Sequence, residues 1–442
     1  MQKGRAQLGN ILRALAHRNF RLFFGGQSIS LIGTWMQRVA LGWLVYRLTD
    51  SAFLLGVIGF AGQIPTFILA PLAGVLADRW NRQRILLLTQ TLAMMQALLL
   101  AVLVLTDSVE VWHLIVLSTF LGVINAFDMP TRQSFMVEMI DGKKDLGNAI
   151  ALNSTMVNGA RLLGPSAAGL LIVAVGEGIC FLINGLSYLA VISSLLLMKI
   201  APREVKPEKS RLWKRLKDGF GYAMGFEPIS AILLMLALVS VMGMPYTVLM
   251  PVFARDFLKG GPDALGFLMG AAGVGALVGA LYLASRKSVL GLGRMIPVSV
   301  SVFGLGLIAF SFSRSLLVSI TLMLATGFGQ MVLLAASNTL LQTMVDDDKR
   351  GRVMSFYTTS FMGLMPFGSL LAGFMASRIG APWTVCVGGI ASILGSVLFA
   401  KRLPVLRRKV LPVYVDKGII PQIASGIQNA TELSLVNRIP KK

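Results

Sequence analysis

Charge is scarce in this sequence. Asp, Glu, Lys and Arg make up 14% of its 442 residues, whereas 55% are hydrophobic. Soluble domains carry roughly a quarter charged residues. A soluble chain of this length would need several cores and a polar coat over them, and the coat is missing. With a mean hydropathy of +0.73, lipid is expected to solvate most of the surface. Cysteine and histidine are nearly absent. Cys180 and Cys386 both fall in apolar runs, which excludes a disulfide framework and reads as small packing residues. His17 and His113, at predicted helix ends, leave no basis for a histidine metal centre. No nucleophile–base pair or metal constellation appears. The expectation is therefore no enzyme, no metal and no cofactor. A cleavable signal is also lacking, because Met1 to Arg21 is basic and amphipathic and the apolar run from Phe20 is too long for a signal core.

Long apolar runs are abundant. A membrane-spanning helix needs roughly 20 mostly apolar residues. Twelve runs qualify: 20–46, 52–77, 85–105, 111–135, 148–175, 179–198, 228–253, 264–284, 295–312, 316–345, 353–376 and 383–400. The expected fold is an all-α membrane protein with about twelve transmembrane helices in two pseudo-symmetric six-helix bundles. Residues 1–19 are expected as an N-terminal segment, 20–198 as the first bundle and 199–227 as a linker. Residues 228–400 form the second bundle and 401–442 a tail.

The formal net charge of +21 raises the question of nucleic acid, but the basic residues cluster in short segments between apolar runs, as membrane topology places them. With the N-terminus inside, inner segments hold 34 of the 41 Lys and Arg. Outer loops hold only Arg47, Arg255, Lys259, Arg314 and Arg378. This bias predicts cytoplasmic termini and an even number of spans, and nucleic acid is not an expected partner. The linker stretch Lys199–Asp218 carries eight basic and three acidic residues. It reads either as a surface-lying amphipathic helix, with Leu212, Trp213 and Leu216 on one face, or as a solvated charged loop. The tail from Lys401 lacks a spanning run and is expected to be mobile.

The halves echo one another. Residues 131–137 read TRQSFMV and 339–345 read TLLQTMV; 162–169 (LLGPSAAG) and 364–371 (LMPFGSLL) match loosely. Such repeats place substrate near the midplane, between the halves. The sharpest motif follows the second run: Gly74-Val-Leu-Ala-Asp78-Arg79-Trp-Asn-Arg82-Gln-Arg84. It resembles the G-x-x-x-D-R-x-G-R-R loop signature of the major facilitator superfamily, with Asn81 in place of the last glycine and Gln83 in place of a basic residue. Its second-half counterpart, from Gly275 to Lys287, lacks the acid. Gly159-Ala-Arg-Leu-Leu-Gly164-Pro165-Ser-Ala-Ala-Gly169 is similar to the antiporter motif of superfamily exporters, where small residues permit close helix packing and Gly164-Pro165 can bend the helix. Gly33–Ala40, Ala126–Gln133 (with Asp128, Pro130 and Arg132) and Arg350–Ser355 resemble the branch that contains bacterial enterobactin exporters and transmembrane secretion effectors. The resemblance covers the chain up to about Ala400. It implies the major facilitator fold, a bacterial inner membrane, and secondary transport of a small molecule by a monomer. A proton or another ion is a candidate coupling partner. The arginine midway along helix 4 of many drug/proton antiporters is missing from Ser118–Gly122, so their coupling scheme does not carry over.

Ionisable groups inside spans are costly and are functional candidates by default. Asp128 is the only acid well inside a predicted span, whereas Arg38 and Arg161 fall near the middle of helices 1 and 5. Arginine stays charged, so this imbalance predicts an anionic or polyhydroxylated aromatic substrate. The candidate substrate site comprises Gln37, Arg38, Gln63, Asn158, Arg161, Tyr246 and Gln330. The candidate gating set comprises Gly74, Asp78, Arg79, Arg82, Asp128, Arg132, Gly164 and Pro165. Arg82 is expected to latch onto Asp128, and Asp78 to meet the start of helix 11. The expected function is export of a small amphipathic or anionic, siderophore-like or drug-like compound by alternating access. Two rivals are a lysophospholipid-type flippase, which a lateral opening would favour, and a nontransporting sensor or scaffold, which a sealed interior would favour.

Overall fold

A computed structural model describes residues 12–140, 143–200, 221–286 and 288–419, and among them regular structure is helical throughout. The linker expectation falls on residues outside this set. Ten segments are long and apolar enough to cross a bilayer. One of them, Leu146–Leu197, has 52 residues. At about 1.5 Å per residue it would exceed twice the roughly 30 Å hydrocarbon thickness. Gly176, at φ 80°, turns it into two legs. With the less apolar helix Arg18–Thr49, the described residues hold twelve spans.

These are α1 (Arg18–Thr49), α2 (Ala52–Ala61 and Ile64–Arg79), α3 (Arg82–Leu105), α4 (Val111–Phe135), and α5 and α6, the two legs of Leu146–Leu197. The second half holds α7 (Glu227–Phe257), α8 (Pro262–Ala284), α9 (Leu292–Phe312), α10 (Leu316–Met344), α11 (Lys349–Ile379) and α12 (Ala381–Asp416). The repeat seen in the sequence is structural. TRQSFMV closes α4 and TLLQTMV closes α10, the fourth helix of each half. The α5–α6 and α11–α12 turns each rest on one glycine of positive φ, Gly176 at 80° and Gly380 at 83°. A side chain would be strained at either position.

Three helices depart from simple rods. α2 breaks at Gly62–Gln63. α7 contains wide π turns at Val239–Gly243 and Phe253–Phe257, and α11 one at Thr359–Gly363. Such turns concentrate at functional positions. α12 does not stop near Ala400. It runs to Asp416 through Pro404 and Pro412. Leu406 and Tyr414 on this extension are buried, and Lys417 Nζ donates to the carbonyls of Thr343 and Val345 at 2.9 and 2.8 Å, capping α10. The expected mobile tail is therefore a packed helix over its first third, because an apolar face at helical spacing (Leu403, Leu406, Val410, Tyr414) finds the bundle.

The halves meet at the end away from the termini. There α2 packs on α11, and α5 on α8, through facing glycines. A Cβ on Gly56 would lie 2.8 Å from the Gly373 Cα, and one on Gly169 would lie 3.0 Å from the Gly266 Cα. Toward the terminal end the surfaces change. Ser154 and Thr155 on α5, and Ser355, Thr358 and Thr359 on α11, are exposed. Polar side chains exposed on spans mark a water-filled cleft rather than a lipid face. The molecule is closed at the far end and open at the terminal end.

Candidate functional site

The centre of the site is Trp35 on α1. Gly164 on α5 lets the two helices approach so closely that a Cβ there would stand 3.0 Å from the Ile32 carbonyl oxygen and would overlap the Trp35 side chain. Pro165 follows without breaking the helix, whose non-helical residue is Gly176. Gly164 therefore acts by packing, and the expected bend is not where α5 turns. Two guanidiniums use the indole that this contact seats. Arg38 lies 4.8 Å from the ring centroid and Arg161 lies 5.8 Å from it. Arg38 is exposed although its neighbours Gln37 and Val39 are buried, and Arg161 is half-buried. Among the described residues neither pairs with a carboxylate. Each feels the other's positive charge. Cation–π contact contributes about 0.5–2 kcal/mol, too little to replace the hydration of two cations at mid-membrane depth, so water or an anion must supply the rest.

The second half contributes Tyr246 and Gln330. Tyr246, within electrostatic range of Arg161, stands edge-on to Phe303 at 6.1 Å. Its hydroxyl donates to Gln330 Oε1 at 3.4 Å. Gln330 is 1% exposed, and its Nε2 has no partner. A buried donor left unmade costs about 1–3 kcal/mol. Arg161 and Tyr246 thus lie within electrostatic range across the two halves, whereas Tyr246 and Gln330 are buried inside the second half.

Three other expected residues are placed differently. Gln37 turns into the first bundle, where its Oε1 accepts from Asn184 Nδ2 at 2.6 Å and its Nε2 donates to Gln96 Oε1 at 3.0 Å. At 3% exposure it is a core residue rather than a cavity residue, because both ends of its amide are already satisfied between α1, α3 and α6. Gln63 donates to the Gly59 carbonyl at 3.0 Å, across the break in α2. Asn158 donates to the Ser154 carbonyl one turn back at 2.9 Å. Both are half-buried.

At the terminal rim, Arg82 does not hold Asp128. Its Nη1 donates to Glu138 Oε1 at 2.8 Å and to the Ser134 carbonyl at 3.2 Å, tying the start of α3 to the end of α4. Asp128, 4% exposed, accepts from Thr89 Oγ1 at 3.0 Å and Gln90 Nε2 at 2.6 Å. It pairs with Arg132 one turn along at 3.4 Å. Helix geometry favours that i,i+4 partner, and Glu138 stands nearer the rim, where Arg82 begins α3. Asn81, where the motif has glycine, caps α3 by accepting the Arg84 N–H at 3.1 Å. Gly74 and the side chains of Asp78 and Arg79, with the expected contact of Asp78 to the start of α11, lie outside those described.

The far end carries a cross-half cluster that sequence reading missed. Tyr46 on α1 donates its hydroxyl to Asp256 on α7, and Arg255 donates to Asp50. The Arg255 guanidinium also lies 5.6 Å from the Tyr46 ring. The π turn at Phe253–Phe257 allows the adjacent Arg255 and Asp256 to reach the same partner helix. The only signal in the sequence was an Arg-Asp pair at the end of a span, which reads equally as loop charge.

The chain can be set beside known proteins. A family profile described as "Transmembrane secretion effector" matches residues 11–413. The staphyloferrin A transporter of Staphylococcus aureus is 26% identical over 86% of this chain and 95% of its own length. The multidrug efflux pump Tap of Mycolicibacterium fortuitum is 24% identical over 84% and 91%. The macrolide efflux protein A of Streptococcus pyogenes is 23% identical over 82% and 90%. A bacterial homolog of the human lysosomal transporter Spinster, crystallised inward-facing and unoccupied, superposes with a TM-score of 0.68 at 15% identity. That match covers 90% of this chain and 98% of the other. The POT family transporter PepTSo gives a TM-score of 0.69 at 14% identity, covering 89% and 99%. The chain belongs to the transmembrane secretion effector family of the major facilitator superfamily and has that superfamily's fold.

Proposed function

We propose that this major facilitator transporter is a secondary active exporter of a small amphipathic anion, siderophore-like or drug-like, working by alternating access. The observation that carries the reading is the pair of guanidiniums at mid-depth, one exposed to the cleft, with no carboxylate bonded to either among the described residues. Guanidinium presents a planar fork of donors to carboxylate or phosphate oxygens, and low dielectric strengthens that attraction. Trp35, half-buried, supplies an apolar wall for an aromatic or amphipathic body. An organic cation would meet two like charges instead.

The positive-inside bias supports a cytoplasmic terminal end; on this reading the open cleft faces inward and is ready to load cargo for export. A monomer suffices, since the site is complete within one chain. A coupling proton fits the scheme, because export against a gradient needs an ion's free energy. The open polar cleft argues against a sealed sensor or scaffold.

Binding to purified protein in lipid nanodiscs tests the reading, with 2,3-dihydroxybenzoate as an anionic probe and ethidium as a cationic one. Arg38→Gln and Arg161→Gln are each expected to weaken the anion about tenfold or more, the equivalent of about 1.4 kcal/mol. Arg161→Lys, which keeps charge but loses the fork, should fall between. Preference for ethidium, or anion affinity indifferent to all three variants, overturns it.

A further inference from the structure

Arg38 and Arg161 leave more bonding capacity unused than one small acid group can take. A guanidinium carries five N–H donors in a fixed fork. Among the described residues, neither fork donates a hydrogen bond to a protein group or pairs with an acid. Each only rests against the indole of Trp35. The charges that Arg38 feels come from Arg161 and the Tyr188 phenol, with no carboxylate among them. By contrast, Arg47, Arg82, Arg132 and Arg255, toward the two ends of the molecule, each reach a carboxylate.

The two open forks are close together. Their central carbons stand 4.8 and 5.8 Å from the same ring centroid, so they are no farther apart than the sum of those distances. One fork is carried by α1 and the other by α5, and Gly164 lets the helices close on the indole that both share. Their spacing is therefore set by helix packing around Trp35 and not by the flexible stems alone.

Charge balance then fixes what this pair can hold. The two oxygens of one carboxylate fill one guanidinium fork. A singly charged anion would leave the other fork open and a positive charge uncompensated at mid-depth, where such a charge is costly. Two negative charges match both.

We propose that the transported anion is doubly charged, one negative charge for each guanidinium, with Trp35 as the positioning residue that sets the distance between the forks. The inference rests on the anion reading above and narrows it to a dicarboxylate or a phosphate monoester. Binding to the full-length protein in lipid nanodiscs tests it at neutral pH, where carboxylates are ionised and a phosphate monoester nearly fully so. Benzoate carries one charge. Phthalate, isophthalate and terephthalate carry two on separate groups, and phenyl phosphate carries its charge on one group. At least one of the doubly charged probes should bind about tenfold or more tighter than benzoate, and the ranking of phenyl phosphate against the dicarboxylates separates the two chemistries. Arg38→Gln and Arg161→Gln should each weaken that probe more than benzoate and bring the two affinities together. Trp35→Ala should reduce the preference while benzoate still binds, and Trp35→Phe, which keeps an aromatic face, should restore it. A preference kept intact in Trp35→Ala overturns the positioning role. Benzoate binding as tightly as every doubly charged probe, or a preference that survives both arginine variants, overturns the proposal and leaves the anion reading standing. If no anionic probe binds, the anion reading fails and this inference with it.

Discussion

A buried amide with both ends bonded is worth more to the fold than to any passing ligand, and Gln37 illustrates this beside Arg38. The two are adjacent in sequence, yet about 100° of helix rotation separates them. One therefore faces the core of the first bundle and the other the cleft. Gln37→Leu removes one donor and one acceptor and leaves Gln96 and Asn184 each short of a partner. A loss of about 1–3 kcal/mol is expected, read as a lower melting temperature, with anion affinity changed far less than by Arg38→Gln. Sequence pattern could rank both as polar residues in a span. It could not assign the face, because α1 carries polar residues on more than one side and its outer surface is shared between core, cleft and lipid.

At the level of elements, the breaks matter as much as the helices. The π turn at the end of α7 brings Arg255 and Asp256 to α1 together, and Asp50 meets them from a left-handed cap position at φ 49°. The two contacts differ in weight. The Asp50 side chain is 70% exposed, and an exposed pair contributes about 0–1 kcal/mol and is screened by salt. Tyr46 is 5% exposed, so its hydroxyl is held in the seam, and its bond to the exposed Asp256 carboxylate is charge-assisted and of the stronger kind. Tyr46→Phe should therefore open the far end more than Asp50→Asn does, measured as faster labelling of a cysteine placed in that end. Raising salt should mimic only Asp50→Asn. Equal effects from the two variants would assign the closure to charge alone. The spans themselves were legible from length and hydropathy, as were the glycine-proline signals between them. The π turns were not, since each lies against other helices that local sequence does not reveal, as where Val239–Gly243 of α7 packs on α9 and α12.

For the whole molecule, alternating access requires that the contact closed here be able to part. Its tightest point is glycine against glycine, Gly56 with Gly373, with no room for a Cβ. Gly373→Phe cannot be accommodated while the far end is shut. It should hold the halves apart there and close the terminal end. Cysteines near Ser154 or Ser355 should then label more slowly than in wild type, and transport should fall to background. Unchanged labelling at both ends would show that the halves do not rock about the centre.

The sequence by itself determined the solvent, the number of crossings, the two-fold repeat and the sign of the mid-membrane charge. Each depends on composition or on residues near in the chain: scarce charge, runs long enough for a bilayer, motifs recurring in both halves, two mid-membrane arginines without an acid at that depth. Only the tertiary structure decided who meets whom. Trp35 became the shared wall of Arg38 and Arg161 because Gly164 lets α5 close on α1. Arg82 went to Glu138 and left Asp128 to Thr89, Gln90 and Arg132. Tyr46 found Asp256 across some two hundred residues of chain. Pairings of that kind are set by helix rotation and depth. A single-residue step turns the first by about 100° and shifts the second by about 1.5 Å, and in a helix polar on several sides neither can be read from spacing.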